Sequence, residues 1–231
     1  MKTVGIIGGI APESTVDYYR SIIAAFREQN PDGSYPAIII DSIDLQRMLK
    51  LAATDLPQLA EYLAAELGRL ARAGADFALL ASNTPHIVFE DLERRSPIPL
   101  VSIVEASCEA AKGMGLKRVG LLGTRFTMEG RFYPDVFTRA GITVVAPQPD
   151  ERAMVHERYM GELVKGVFLP ETRAELLRIV EQMKHRDELD GVVLAGTELP
   201  LLLRDVDGGV PFLDTTRIHV DAVVERLLQE R

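Results

Sequence analysis

Residues 119–123 read VGLLG, and residues 4–8 read VGIIG. Each is a short apolar run closed by glycine and followed by small polar residues, GIAPEST after the first and TRFTME after the second. Two further pairs keep the same order along the chain. LLASNT at 79–84 matches VLAGTE at 193–198, and IPLVSIVEASCEAA from residue 98 aligns with VPFLDTTRIHVDAV from residue 210, proline on proline. The offsets are 115, 114 and 112, and three matches in one order at nearly constant offset mark an internal repeat.

The repeated runs are strand-length, and stretches of helical period lie between them, which predicts an α/β fold with parallel strands. The pattern places strands near 3–8, 36–41, 76–81, 98–102, 118–122, 142–146, 190–195 and 211–213. It places a helix over PQLAEYLAAELGRLARA at 57–73, stopped by Gly74, and another from Pro170 through Met183. The chain thus reads as two similar lobes, each a parallel sheet flanked by helices. Open parallel sheets bind ligands beyond the carboxyl ends of their strands, so the two repeated strand ends are expected to share a site in a cleft between the lobes.

Composition narrows the function classes. The 231 residues are 47% hydrophobic and carry a net charge of −8, with basic residues scattered, so the chain lacks the electrostatic footprint of a nucleic-acid binder. MKTVGIIGG lacks the apolar core of a signal peptide, and no window approaches the roughly 18 apolar residues of a membrane span. No membrane partner and a cytoplasmic location are the expectations. The one cysteine, Cys108, cannot form an internal disulfide, and His86, His156, His185 and His219 lack metal-ligand spacing. No metal site is expected.

The polar residues that follow the strands are the candidates for chemistry. GGIAPEST at 8–15 meets neither the Gly-x-Gly-x-x-Gly nor the P-loop spacing, so it is a poor nucleotide site. Ser82, Asn83 and Thr84 precede Pro85, with Thr84 a natural N-cap; hydroxyl, carboxamide and free helix amides together suit a carboxylate ligand. Alternatively, they only cap their own helix. Thr197 and Glu198 hold the matching place in the second lobe, and Thr124 and Thr127 either bind an anion or cap a helix. Glu162 and Lys165, three apart, suit an exposed ion pair, and Arg47 suits a surface position.

The set VGIIGGIAPEST, ASNTPH, VGLLGTRFTME, GELVKG and GVVLAGTELP, in this order and spacing, resembles the aspartate/glutamate racemase family over essentially the whole chain. The resemblance implies two pseudo-symmetric α/β lobes, 1–98 plus 211–231 and 99–210, with an amino-acid site between them. It implies no cofactor, and commonly a homodimer. It also implies two catalytic cysteines, one per lobe, that remove and deliver the α-proton on opposite faces of the substrate. The first falls on Ser82 and the second on Gly196, so neither thiol is present. Asn83 and Thr84 match the residues that hold the substrate carboxylate, and Thr197, Glu198, Thr124 and Thr127 match other binding motifs. Arg47 and Lys165 fall near positions of basic groups, while Ile10 and Ala11 replace the usual Met-Gly. His86 matches a motif histidine expected to support its loop.

A serine hydroxyl is a far weaker acid than a thiol of pKa about 8.5, and glycine offers no group at all. The expectation is therefore a racemase-family protein that binds a small amino acid or dicarboxylate with weak or absent α-proton chemistry. The alternatives are a non-catalytic carboxylate-binding protein and a related lyase or isomerase of changed reaction.

Overall fold

The computed structural model describes residues 2–30, 32–203 and 209–229. The chain forms two compact units, residues 1–103 with 216–231, and residues 104–215. Among the described residues each unit holds one four-stranded, all-parallel sheet.

In the first unit the strands β1 (Thr3–Gly8), β2 (Ala37–Ser42), β3 (Phe77–Leu80) and β4 (Leu100–Val101) lie in the order β2-β1-β3-β4. Their helices are α1 (Pro12–Gln29), α2 (Leu45–Thr54), α3 (Leu56–Arg72) and α4 (Phe89–Arg95). β3 is buried at all four positions, because a central parallel strand has helices on both faces and so reads as an unbroken apolar run. Helix ends follow the local chemistry. Pro12 opens α1, and the Asp55 carboxylate caps α3 by accepting the Gln58 N–H at 2.9 Å. α3 stops where Gly74 takes φ +101°, a left-handed conformation that glycine adopts without strain.

The second unit repeats this plan with β5 (Arg118–Gly123), β6 (Thr143–Val145), β7 (Gly191–Ala195) and β8 (Phe212–Asp214), ordered β6-β5-β7-β8. Its helices are α5 (Ile103–Gly113), α6 (Arg125–Glu129), α7 (Phe132–Arg139), α8 (Pro149–Gly161), α9 (Pro170–Asp187) and α10 (Leu199–Leu203). Its core gathers Leu122, Val192 and Leu194 of the sheet with Val155 and Tyr159 of α8 and Leu176, Ile179, Val180 and Met183 of α9.

The last helix, α11 (Thr215–Leu228), belongs to the first unit from Thr216 onward. There Val220, Val223, Val224 and Leu227 pack with Val4 and Ile6 of β1, Tyr18, Ile22 and Phe26 of α1, and Phe77 and Leu79 of β3. The family pattern places the exchanges between lobes after residues 98 and 210. In the structure β4 pairs with β3 and β8 with β7, so each of these strands stays in the sheet that precedes it, and only the following helix changes unit. Residues 1, 31, 204–208 and 230–231 of the two sequence ranges lie outside the described residues.

One pair of side chains extends the repeat into the helices. Tyr18 and Tyr133 are both fully buried and stand 115 positions apart, the same offset as the two glycine-closed strands. The Tyr18 hydroxyl bonds Nδ1 of His219 on α11 at 2.9 Å, and the Tyr133 hydroxyl bonds Ser107 on α5, 112 positions before His219. Each tyrosine thus ties its unit to the helix that arrives from across the exchange. Tyr18→Phe removes the donor to a buried imidazole nitrogen and is expected to cost about 1–3 kcal/mol, read as a lowered midpoint in urea.

Candidate active-site loops at the strand ends

Glycine explains how the first loop of each unit turns so tightly. A Cβ on Gly8 would lie within 2.8 Å of the Thr15 hydroxyl oxygen, and one on Gly123 would lie 3.1 Å from the Thr127 Cβ. In the first unit the Gly9 N–H donates to Thr15 Oγ1 at 2.8 Å, and the Ser14 hydroxyl donates to the Ala11 carbonyl at 2.8 Å. In the second unit Thr124 caps α6 by accepting the Thr127 N–H at 3.4 Å, and the two hydroxyls lie 3.2 Å apart. Of the two roles open to Thr124 and Thr127, this geometry displays the helix cap. The neighbouring Arg125 N–H donates to Nδ1 of His156 at 3.2 Å; burial first, then the Arg125 charge, holds that imidazole below its usual pKa.

After β3 the chain passes through Ser82 and Asn83 into a 3₁₀ turn over Thr84–Val88. Ser82, Asn83, Thr84 and His86 are all buried. Thr84 is not the cap that the sequence pattern suggests. It is the first residue of the turn, Asn83 precedes it in helical conformation, and the His86 N–H closes the turn on the Asn83 carbonyl at 3.0 Å. Thr84-Pro85 thus opens a tighter i→i+3 turn from within it, and Asn83 holds the place before it.

His86 is fixed in one tautomer by its partners. Nε2 accepts the Ile103 N–H at 3.4 Å, so Nδ1 carries the proton and donates it to the Ser82 carbonyl at 3.0 Å. His219, on α11, mirrors it: Nε2–H donates to the Val101 carbonyl at 3.0 Å, and Nδ1 accepts from Tyr18. Burial, and for His86 also the neighbouring His219, drives these pKa values down to about 3 and about 4. His86 is therefore neutral and spends both nitrogens on the backbone. It supports the loop and has no lone pair left to take the Ser82 hydroxyl proton.

After β7 come Gly196, Thr197 and Glu198, then α10. Thr197 and Glu198 are buried, and the Leu199 N–H turns back to the Gly196 carbonyl at 3.0 Å. The Glu198 carboxylate oxygen Oε2 accepts two hydroxyls, Thr197 Oγ1 at 3.0 Å and the phenol of Tyr159 from α8. Burial first, then the adjacent carboxylate, pushes the Tyr159 phenol well above its usual value, so it is a neutral donor at physiological pH. The sequence pattern gave no role to Tyr159. It lies 37 residues before Gly196, and only the large side chain next to a strand-end glycine, visible in three dimensions, signals it.

Of the two basic candidates, Arg47 lies in the first turn of α2, where Asp44 caps its N–H at 3.0 Å, and its guanidinium sits 4.1 Å from the centre of the Tyr62 ring. Its charge also acts on the buried Glu66, whose carboxyl burial raises above the ordinary range. Lys165 is the exposed last residue of a 3₁₀ turn over Leu163–Lys165. Glu162, the expected partner of Lys165, instead bonds Arg158 at 2.8 Å and the Thr172 hydroxyl. Cys108 is buried on α5, with Sγ 4.0 Å from the Val136 carbonyl. Among the described residues no cluster of three or more His, Cys, Asp or Glu could hold a metal ion, and no helix is long and apolar enough to cross a membrane.

Two parallel α/β units of one plan, each ending its central strand in a buried hydroxyl-bearing loop, define a duplicated fold with paired strand-end loops. The Asp/Glu/Hydantoin racemase family model matches residues 7–223, and the chain belongs to this family. It is 22% identical over 232 residues to the broad specificity amino-acid racemase RacX of Bacillus subtilis (strain 168), covering 97% of this chain and 98% of that protein. Among solved structures, a candidate Asp/Glu racemase from Yersinia pestis superposes with TM-score 0.90 at 34% identity, over 99% of this chain and all (100%) of that one. An aspartate racemase homologue from Pyrococcus horikoshii OT3 superposes with TM-score 0.85 at 33% identity, over 99% and 100%.

Proposed function

We propose that this protein is an amino acid racemase by descent that binds a small amino acid or dicarboxylate with its two strand-end loops, between the lobes. We further propose that its α-proton chemistry is weak or absent. The observation that carries this reading is the nature of residues 82 and 196, serine and glycine, in a chain whose residues 7–223 match the racemase family. Asn83, Thr84, Thr197 and Glu198 supply carboxamide, hydroxyl and carboxylate groups suited to a small polar ligand. Thr124 and Thr127 belong to the same set by their place in the repeat, and Arg47 and Lys165 by their motif positions.

Two-base racemisation needs a group on each face of the α-carbon that exchanges a proton near neutral pH. His86 does not serve Ser82 as a base, because its two nitrogens are committed to the Ser82 carbonyl and the Ile103 amide. That observation favours the second reading as well, a binding protein that keeps the ligand loops without turnover. By the family pattern the protein acts in the cytoplasm as a homodimer without a cofactor.

The test is deuterium wash-in at Cα in D₂O with both enantiomers of aspartate, glutamate and a panel of neutral amino acids, the last included because the Bacillus relative is named for broad specificity. The expected result is exchange at or near background. A ligand at 100 times its dissociation constant adds about 2.7 kcal/mol of stability, so a thermal shift with the same panel is expected to identify the ligand. Fast exchange overturns the loss of chemistry. No shift with any amino acid or dicarboxylate overturns the ligand class.

A further inference from the structure

Gly196 is not required by its backbone. Its φ lies outside the left-handed region, where seven other glycines among the described residues, Gly9 and Gly74 included, are found. What position 196 lacks is room. A Cβ built there overlaps the ring of Tyr159, with the hydroxyl oxygen 2.8 Å and Cζ 2.9 Å away and Cε2 closer still. Nor can the ring readily swing aside. Tyr159 is 5% exposed, packs in the core of the second unit with Val155 and Leu163, and is tethered through its hydroxyl to Glu198. A close-packed interior accommodates even one added carbon only by strain.

The structure assigns Tyr159 the role of specificity-determining residue at the second strand end: its phenol fills the place that a side chain on residue 196 would take. This rests on the reading, made above, that residue 196 is a proton-transfer position. The loop therefore presents an oxygen acid hydrogen-bonded to the Glu198 carboxylate in place of whatever residue 196 could carry. As a neutral donor the phenol orients Glu198 and closes the position to a thiol. Tyr159 and Gly196 form one unit, and a cysteine at 196 cannot be accommodated while the ring is present.

Two sets of variants test this. Gly196→Ala is expected to lower Tm by roughly 3–10 °C in the natural background. In a Tyr159→Ala background the same change is expected to leave Tm within about 2 °C or raise it, since alanine at an unstrained position restricts the unfolded chain. Tyr159→Phe keeps the ring and is expected to keep the penalty, and Tyr159→Leu serves if the alanine variant does not fold. An equal penalty in all backgrounds overturns the pairing. The second set introduces Ser82→Cys with Gly196→Cys, with and without Tyr159→Ala, and measures Cα deuterium exchange. Exchange at least about tenfold above background is expected only when the ring has been removed. Equal exchange with Tyr159 in place overturns the assignment. Coupled Tm effects with exchange in neither variant uphold the pairing and overturn the reading of 196 as a proton-transfer position.

Discussion

As pH falls below 6.5, the ordinary histidine value, the folded protein loses stability at up to about 2.7 kcal/mol per pH unit, about 1.4 from each of two buried imidazoles. His86 and His219 stay neutral in the fold down to about pH 3 and about pH 4, whereas in the unfolded chain both take up protons near 6.5. Their contribution is therefore fully present above pH 6.5 and is lost as pH falls towards the folded values. The physical cause is desolvation. For His86 the two nitrogens also serve as one donor and one acceptor, so a second N–H⁺ would meet the donor Ile103 N–H. His219→Gln can keep an N–H for the Val101 carbonyl and an acceptor for Tyr18 but does not titrate. It is expected to halve the slope between pH 6 and pH 4.5, measured by urea melts at a series of pH values. An unchanged slope would show that other groups carry the acid sensitivity.

Val223→Asp is expected to cost about 4 kcal/mol or more. Val223 is fully buried on α11 within the cluster formed by β1, α1 and β3, where an ionised carboxylate would be desolvated among apolar side chains. Glu225→Asp, two residues on and exposed, is expected to stay within about 0.5 kcal/mol and serves as the control. Circular dichroism during chemical unfolding distinguishes the two. A small effect at 223 would mean that the first unit does not depend on the returning helix.

The fold was largely legible because parallel strands covered on both faces leave continuous apolar runs that glycine and small polar residues close. All eight expected strands are present, with ends displaced by no more than two residues. The exchange points were harder to read. β4 and β8 run into α5 and α11 almost without a loop, and nothing in SIVEA or TTRIH tells which sheet the preceding strand joins; strand pairing decides it. Thr84 carries an N-cap signature, yet the 3₁₀ form of its turn sets it one place inside. Tyr18 and Tyr133 escaped the pattern because their surroundings diverge: α1 is continuous where the second unit breaks at Gly130 into α6 and α7. The candidate loops were visible as hydroxyl and amide residues at strand ends. The contact of Tyr159 with Gly196 was not, since a long-range packing partner leaves no local periodicity.

The late position of α11 bears on how the chain is made. Residues 104–215 are contiguous and carry a complete sheet and core, so a growing polypeptide can finish this unit as it leaves the ribosome. The first unit emerges earlier yet stays unfinished, with the apolar faces of β1 and α1 waiting for Val220, Val223, Val224 and Leu227. A released chain ending before Thr216 would therefore hold a folded downstream unit beside an upstream one still open to chaperones and proteases.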